Sequence, residues 1–561
     1  MGCIRPAPIH EEDRNSMKPG NELLFLALGG SGEIGMNVNL YGCQGKWIMV
    51  DLGMTFADPF YPGVDLVLPD LTFIEENRQD LLGIVLTHGH EDHIGAIPYF
   101  AGELDVPLYA TPFTAGLIAG KLEEEGLIGE VKVNVIDMLD DFALGPFGLR
   151  YIPLAHSIPE GNALLIDTPY GKVFHTGDWK LDDTPQIGDP STEAELRAIG
   201  DQGVLALVCD STNVFVETSS GSELGVRAGL DEVIQGADWR VLVTTFASNA
   251  ARLKTLGHVA QDTGRQVCIA GRSLDRILRV SKSVGYLTDF PETIDFDAAM
   301  KLPRREVMIV ATGGQGENRA ALARIAFEQH KLKLDSGDLV IFSSKQIPGN
   351  EIAIGRIQNE LAGKGIEMIT ERQAPVHVSG HPGRPELAAM YDWIRPQIIV
   401  PVHGEMRHMT EHARFARGRG IPHGIVQKNG DVVRLAPDGP EKVGEEKVGR
   451  FVLDGDVILP ADGPTINDRR RIAFAGLISV AVALGGDEKL AGDVEIDIQG
   501  VPVEEDRDAF VEAACAAAAA AVGKAKGGED RLKEAVRLAV RRVATEWTGK
   551  KPVVSVLLVR V

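Results

Sequence analysis

The stretch "LTHGHEDHIGAIPYF" places His88, His90, Asp92 and His93 within six residues, directly behind the apolar run "LLGIVL". Three of the chain's fourteen histidines fall in that interval, which a polar turn with incidental histidines does not explain. An extended strand directs His88 and His90 to one face, and a turn after them can bring Asp92 and His93 alongside. Three imidazoles and a carboxylate suit Zn²⁺, or Mn²⁺ and Fe when carboxylates contribute more. Two adjacent ion-binding sets need further ligands. Other strand ends offer His156 in "LAHSIPEGN", Asp178 in "HTGDWK" and His403 in "VPVHGE". The remaining clusters read as ordinary. His408 and His412, spaced i, i+4, lack a third ligand and read as a core or solvent pair. His175, three residues before Asp178, reads as a packed strand histidine.

A second motif competes for attention. Gly30-Ser31-Gly32-Glu33-Ile34-Gly35 fits G-x-G-x-x-G behind the apolar run "ELLFLAL", and Asp51 follows where a ribose-binding acid would stand. A dinucleotide site also needs a helix after the third glycine, whose N-terminus meets the pyrophosphate. Here Gly35 is followed by "MNVNLYGCQGKWIMVD", which reads strand, turn, strand and leaves no room for that helix. The glycines therefore read as a tight turn into a hairpin.

The elements that must position these residues follow from patterning. From Asn21 to about Ser222, short apolar runs such as "NVNLYG", "LRYIPLAH", "GKVFHTGD" and "VLALVCDS" end in polar residues, so the chemistry collects at one edge of sheets with few helices between strands. From about Gly225 to Thr370, five strands ("RVLVTTF", "QVCIAG", "EVMIVATGG", "DLVIFSS", "IEMIT") alternate with amphipathic segments, which predicts a parallel sheet wrapped by helices. The first grammar returns in "PQIIVPVHGE", so the middle part reads as an insertion. "PDGPEKVGEEKVG" reads as a linker or exposed loop. A last unit from about Thr465 is predicted as strand, strand, helix, helix, strand, with Arg469 to Arg471 able to touch a nucleic acid but read more simply as the solvated start of a strand. Residues 1–19 read as a flexible extension, with Met17 as an alternative start.

At 561 residues the chain should hold several domains, and its apolar and charged fractions are those of an ordinary globular protein. No apolar run reaches membrane-spanning length and no secretory h-region is present, so no membrane partner and a cytoplasmic setting are expected. The five cysteines contain no C-x-x-C, arguing against a disulfide framework or thiolate metal site. The formal charge of −23 weighs against a polyanionic partner. However, residues 252–305 carry ten basic against six acidic side chains.

The order H-x-H-x-D-H, a later His, an Asp in a T-G-D turn and a final His resembles the metallo-β-lactamase superfamily. The α/β insertion before the final His resembles its β-CASP nucleic-acid-processing branch. "GEIGMN", "THGHEDHIGAIPY", "HSIPE", "TGDWK", "DSTN", "FASN", "SSKQIPGNE", "HVSGH" and "PVHGE" are similar to the bacterial ribonuclease J family. The resemblance runs from about residue 22 to 440 and continues more weakly beyond. It implies an α/β chain: a metallo-β-lactamase αββα sandwich (20–224 and 373–446), an inserted β-CASP α/β domain (225–372), a linker (447–464) and a small α/β C-terminal domain (465–561).

Carried over by motif, His88, His90 and His156 hold one divalent ion and Asp92, His93 and His403 a second, with Asp178 bridging. The ions expected are two Zn²⁺ per chain, with Mn²⁺ as the alternative. Asp51 becomes the buried brace of the metal loops. Asp210 and His381 match two further positions near the scissile phosphate, His381 as general acid held by Asp210. The implied activity is two-metal hydrolysis of RNA, as a 5′→3′ exonuclease dependent on a 5′-monophosphate and as an endonuclease, in RNA maturation and decay. Ser248, Asn249, His377 and Ser379 supply donors for a terminal 5′-phosphate. The basic segment 252–305 then suggests an RNA channel. Implied partners are RNA, a homodimer or homotetramer through the C-terminal domain, and an RNA-decay assembly. A DNA-processing β-CASP nuclease and a small-molecule hydrolase of the superfamily are the alternatives. A degenerate scaffold would lack ligands, and all seven are present.

Overall fold

The apolar runs of the first two hundred residues form two sheets that share one core. In the computed structural model, which describes residues 19–347, 349–486, 489–525 and 527–561, the eight-stranded sheet has the order Glu441–Glu445, Asp431–Ala436, Leu23–Gly29, Val38–Cys43, Lys46–Val50, Leu81–Val85, Leu108–Ala110, Val133–Val135. The seven-stranded sheet has the order Asp141–Leu144, Phe147–Pro153, Asn162–Thr168, Gly171–His175, Val204–Asp210, Ile398–Val402, His423–Gly424. Phe25, Tyr41, Ile48 and Val85 of the first meet Phe147, Tyr151, Leu164 and Val400 of the second. The outer face of the second sheet packs Leu196 and Ile199 of helix Glu193–Asp201 with Leu387, Met390 and Ile394 of helix Arg384–Ile394. Apart from Pro19, the extension expected over residues 1–19 lies outside the described residues.

Parallel pairing decides where the chemistry collects. Strands Gly171–His175, Val204–Asp210 and Ile398–Val402 run parallel, so they deliver Asp178, Asp210 and His403 at the same edge. Strands Lys46–Val50 and Leu81–Val85 are also parallel and deliver Asp51 and His88. The Asp51 N–H donates to Val85 O at 3.0 Å, which locks the two strand ends together. Crevices at the carboxyl ends of parallel strands are where α/β sheets bind ligands.

The middle segment forms a five-stranded, wholly parallel sheet in the order Gln266–Ala270, Val307–Ala311, Val241–Thr244, Leu339–Phe342, Glu367–Ile369. Apart from the edge strand Glu367–Ile369, these unalternating apolar runs are buried on both faces, as helix-wrapped sheets require. All of this, with Leu68–Gly449 and the described residues from Pro19 to Thr55, belongs to one compact unit.

The second unit comprises Phe56–Val67 and Arg450–Val561, and two expectations are corrected within it. Residues 447–464, expected as a linker, carry the antiparallel pair Arg450–Asp454 and Val457–Pro460. Arg469 to Arg471 start no strand: they lie in helix Pro464–Ala475, which begins with Pro at its first position, where the ring costs no hydrogen bond. Only Ile466 and Ala475 of that helix are buried, so it has no apolar stripe to find. After it come strands Leu477–Leu484 and Glu495–Gln499, helices Arg507–Lys524 and Glu529–Thr548, and strand Val553–Arg560.

The basic segment 252–305 is partly structural. Arg252 is fully buried, pairs with buried Glu223 at 3.1 Å and donates to Val376 O at 2.9 Å and to Ser343. Arg265 donates to the carbonyls of Trp239 and Ala237. Arg252 thereby ties helix Ala250–Asp262 to helix Glu223–Gln235, to the end of strand Leu339–Phe342 and to the loop before His377. Removing one partner strands a buried charge, so Arg252→Ala should cost about 3–5 kcal/mol. Exposed Arg272→Ala should stay within about 0.5 kcal/mol. Thermal unfolding of the two variants checks the contrast.

Candidate metal centre

Strand Leu81–Val85 ends in Leu86-Thr87-His88-Gly89-His90, and the short helix Glu91–Ile94 turns Asp92 and His93 back toward it. His88 Nε2 lies 3.0 Å from His90 Nδ1, and His90 Nδ1 lies 3.1 Å from His156 Nε2. On the other side, His403 Nε2 is 3.1 Å from Asp92 Oδ2, and His93 Nε2 is 3.3 Å from Asp178 Oδ2. The donor atoms form three overlapping groups, each within 4.8 Å: His88, His90, His156, Asp178; Asp92, His93, Asp178, His403; and Asp178, Asp210, His381, His403. Asp178 is common to all three. The structure thus brings together all seven candidate ligands, and sets His381 and Asp210 beside them.

The surroundings fix the orientation of each imidazole. Asp51, wholly buried, accepts from Thr87 N–H at 2.8 Å and sits 2.7 Å from His93 Nδ1, so His93 Nε2 faces the cluster. Both Asp51 oxygens are engaged, by Thr87 and by His93. His156 Nδ1 donates to Gly380 O at 2.7 Å, leaving Nε2 inward. A Cβ on Gly380 would stand 2.6 Å from His156 Cε1, which accounts for glycine in "HVSGH". Asp51 and His403 both adopt left-handed backbone, with φ of 65° and 52°, unusual for residues bearing a Cβ. His403 N–H donates to Gly30 O at 2.7 Å, and Ser31–Gly32 pairs with Gly404–Glu405. The glycine-rich turn therefore serves as a clamp on the His403 loop.

Electrostatics divides the imidazoles. Burial, reinforced by neighbouring imidazoles, holds His88 and His156 well below the ordinary value, and burial pushes His90 down to about 4. For His93 and His403 burial opposes the charge, but Asp178 and the adjoining carboxylates outweigh it and raise both. Burial likewise opposes ionisation of Asp92 and Asp178, and the charges on His93 and His403 hold both below the usual carboxylate range. His381 is raised: burial works against its charge, and Asp210, 2.8 Å from Nδ1, with Asp178, wins.

The donor set fits divalent cations. Asp178 Oδ1 is buried without a hydrogen-bond partner, an acceptor whose desolvation is otherwise uncompensated. Neutral imidazoles and ionised carboxylates are the forms that ligate.

Ser248 and Asn249 are not part of this cluster. Asn249 Oδ1 accepts from Arg252 N–H at 2.8 Å and so caps helix Ala250–Asp262. His377 Nδ1 is buried and unpartnered. Ser379 Oγ accepts from Asn213 Nδ2 at 2.7 Å and from His381 N–H at 3.2 Å. Arg252, bonded to Val376 O, is the tie between these two loops. His408 packs against Phe215, His412 meets Ser211 Oγ at 2.8 Å, and His175 meets Tyr41 OH at 2.9 Å, so all three are core histidines.

Sequence reasoning missed four positioning residues. Thr212 Oγ1 lies 2.8 Å from His403 Nδ1, and Asn37 Nδ2 lies 3.0 Å from His93 Nε2. Asn213 also donates to His381 O at 3.0 Å. Buried Glu386 accepts from Leu181 N–H, Ser220 N–H, Ser220 Oγ and Gly383 N–H, joining the loops that carry Asp178, Asp210 and His381. Its position three residues after Gly383 signals a helix start, but nothing local signals the other two loops.

Metallo-β-lactamase sheets bearing this cluster, with a parallel α/β insertion, define a metallo-hydrolase of the β-CASP type. Family models agree along the chain: Metallo-beta-lactamase superfamily at residues 35–202, Ribonuclease J beta-CASP domain at 238–361, Zn-dependent metallo-hydrolase RNA specificity domain at 365–426, and Ribonuclease J C-terminal domain at 464–561. The chain is 43% identical to ribonuclease J of Sinorhizobium meliloti over 98% of its own length and 99% of that protein. It is 36% identical to ribonuclease J of Thermus thermophilus over 95% and 90%. A solved Enterococcus faecalis protein of unknown function shares the fold, with a TM-score of 0.53 at 18% identity, covering 74% of this chain and 100% of that one. The chain belongs to the ribonuclease J family.

Because Asp178 enters every group, Asp178→Ala should lose metal from both ligand sets, whereas Asp92→Ala should deplete only one; metal analysis of desalted protein checks this. Cations must also displace the protons on His93 and His403, so binding should release protons and weaken as pH falls through their raised pKa values. Calorimetry in buffers of different ionisation enthalpy reads that release.

Proposed function

We propose that the chain hydrolyses RNA phosphodiesters with two divalent ions per chain, Zn²⁺ with Mn²⁺ as alternative. His88, His90 and His156 would hold one ion, Asp92, His93 and His403 the other, and Asp178 both. Bound there, such ions supply Lewis acidity that lowers the pKa of a water toward neutrality and offsets phosphoryl charge. The observation that carries the reading is His381, held at Nδ1 by Asp210 at 2.8 Å beside the cluster. Its raised pKa keeps a proton on Nε2, and that proton passes to the leaving 3′-oxygen, so the downstream product keeps a 5′-phosphate. Asp210 keeps the ring oriented and charged. Ser379 and His377, on the loop leading to His381, and Ser248 with Asn249 at a helix N-terminus form the 5′-phosphate pocket, which makes the enzyme a 5′→3′ exonuclease with endonuclease activity.

The remaining exposed cations of 252–305 line the RNA path. The division 20–224 with 373–446, 225–372 and 465–561 gives the catalytic, β-CASP and C-terminal domains, the last mediating homodimers or tetramers. RNA maturation and decay in the cytoplasm is the corresponding role. No described helix is long and apolar enough to cross a membrane.

End-labelled RNAs with 5′-monophosphate, triphosphate or hydroxyl ends, each with Zn²⁺, Mn²⁺ or Mg²⁺, test this. Mononucleotide release from the monophosphate substrate is expected. Cleavage of matched DNA alone, or of small esters alone, would replace the reading, and no cleavage of any RNA would sink it. His381→Ala should lower kcat by about 10²–10⁴ with metals retained. In wild type the rate should fall as pH rises through the elevated His381 pKa. Asp210→Asn removes the main lift and should move that alkaline limb to lower pH in the kcat profile.

A further inference from the structure

In the second unit, helix Pro464–Ala475 presents Asn467, Arg470, Arg471 and Phe474 on one face, spaced by three and four residues. The Arg470 guanidinium lies 3.5 Å from the Phe60 ring centroid and 5.3 Å from that of Tyr61, and its Nε donates to Phe60 O at 2.7 Å. At the far end of the same face, Lys550 Nζ stands 5.0 Å over the Phe474 ring and donates to Phe474 O at 2.8 Å. Phe474 is 76% exposed and Phe60 59%. Arg469 is not part of this face, being held by Asp454 at 2.6 Å. Arg471 meets Asp468 at 3.7 Å with both side chains in solvent, a pairing worth little. Among the described residues, no carboxylate lies within ion-pair distance of Arg470 or Lys550. Three cations thus alternate with open aromatic rings in a chain whose net charge is −23.

Aromatic faces that accept any base, interleaved with cations that meet phosphates, are the chemistry of sequence-independent single-strand binding. An Arg plane is itself a stacking surface for an unpaired base. We propose that this face is a second binding surface for single-stranded RNA, with bases stacking on Phe60, Phe474 and the Arg470 plane, and Arg470, Arg471 and Lys550 meeting phosphates. None of these residues belongs to the metal cluster, so the surface retains long RNA without touching the scissile bond. This rests on the reading of RNA as substrate.

The test is fluorescence anisotropy of the full chain in EDTA, so that binding is read apart from cleavage. The probes are labelled RNAs of about four and about thirty nucleotides, the shorter within a single small binding site. Arg471→Glu with Phe474→Ser changes only exposed side chains; Lys550→Ala is the milder second variant, and melting curves verify folding. The paired change should raise Kd for the long RNA about tenfold and leave the short RNA unchanged. Lys550→Ala should lower the slope of log K against log salt by about 0.7, one phosphate contact on a single strand. With metal restored, KM for long RNA should rise while kcat holds. Unchanged long-RNA affinity in folded variants overturns the proposal, as does absence of long-RNA binding by wild type. A change in sedimentation mass without change in RNA affinity also overturns it, marking the face as a contact between copies. If the chain cleaves no RNA yet the anisotropy responds as expected, the nuclease reading fails and this surface stands.

Discussion

The centre depends on one buried carboxylate. Asp178 is shared by every group of donor atoms, and one of its oxygens has no hydrogen-bond partner. Around it Asp51, Asp92 and Asp210 bring three more carboxylates, two of them wholly buried or nearly so. Acids gathered like this in a low-dielectric site repel one another and lose hydration, so positive charge must enter with them. His93 and His403 answer this requirement: Asp178 and the adjoining carboxylates raise the pKa of both against the effect of burial. His88 and His156, with no such excess of acids beside them, are held well below the ordinary value by burial and by neighbouring imidazoles. Asp178 pulls on both sets alike, so it is the additional carboxylates Asp51, Asp92 and Asp210 that raise His93 and His403, while burial and neighbouring imidazoles lower His88 and His156.

Such a cluster is stable only if its members cannot relax apart, and the sheets provide that. Asp178, Asp210 and His403 hang from three neighbouring parallel strands, so their spacing is set by ladder register and not by loop preference. Where strand geometry alone would misdirect a side chain, the backbone is bent: Asp51 and His403 take left-handed conformations, each held by a hydrogen bond from its own N–H to a neighbouring carbonyl. Strain of this kind persists when the surroundings over-determine it. Glu386 does the equivalent for the loops, since four donors from three segments converge on a single carboxylate.

The ligands were legible because each follows a strand or turn signal and because His and Asp in tight spacing carry chemical meaning by themselves. The five middle strands were legible from unalternating Val/Ile runs. Thr212, Asn213, Asn37 and Glu386 were not, since they are common polar types whose partners lie as far as 205 residues away. Helix Pro464–Ala475 was missed because its exposed face carries the arginines and no apolar period marks its inner side. The glycine fingerprint misled by its letters alone: strand Val38–Cys43, not a helix, follows Gly35, and the clamp on His403 gives those glycines a different purpose.

Net charge was the least informative number. At physiological ionic strength the field of an exposed charge fades over about 8 Å, so an excess of −23 spread over a large surface does not reach a phosphate held locally. What a polyanion meets is the few cations left unpaired beside it. Counting basic residues over 252–305 overstated that supply, because Arg252 and Arg265 are spent on buried carbonyls and on Glu223. Counting Arg469 to Arg471 as a solvated run understated it, because one of the three lies against an aromatic ring with no carboxylate of the described residues in ion-pair reach. Whether a cation can serve a phosphate is decided by its neighbours in space: an arginine buried among protein oxygens cannot reach one, whereas Arg470, although it donates to Phe60 O and Asn467 Oδ1, keeps a charge that no described carboxylate offsets.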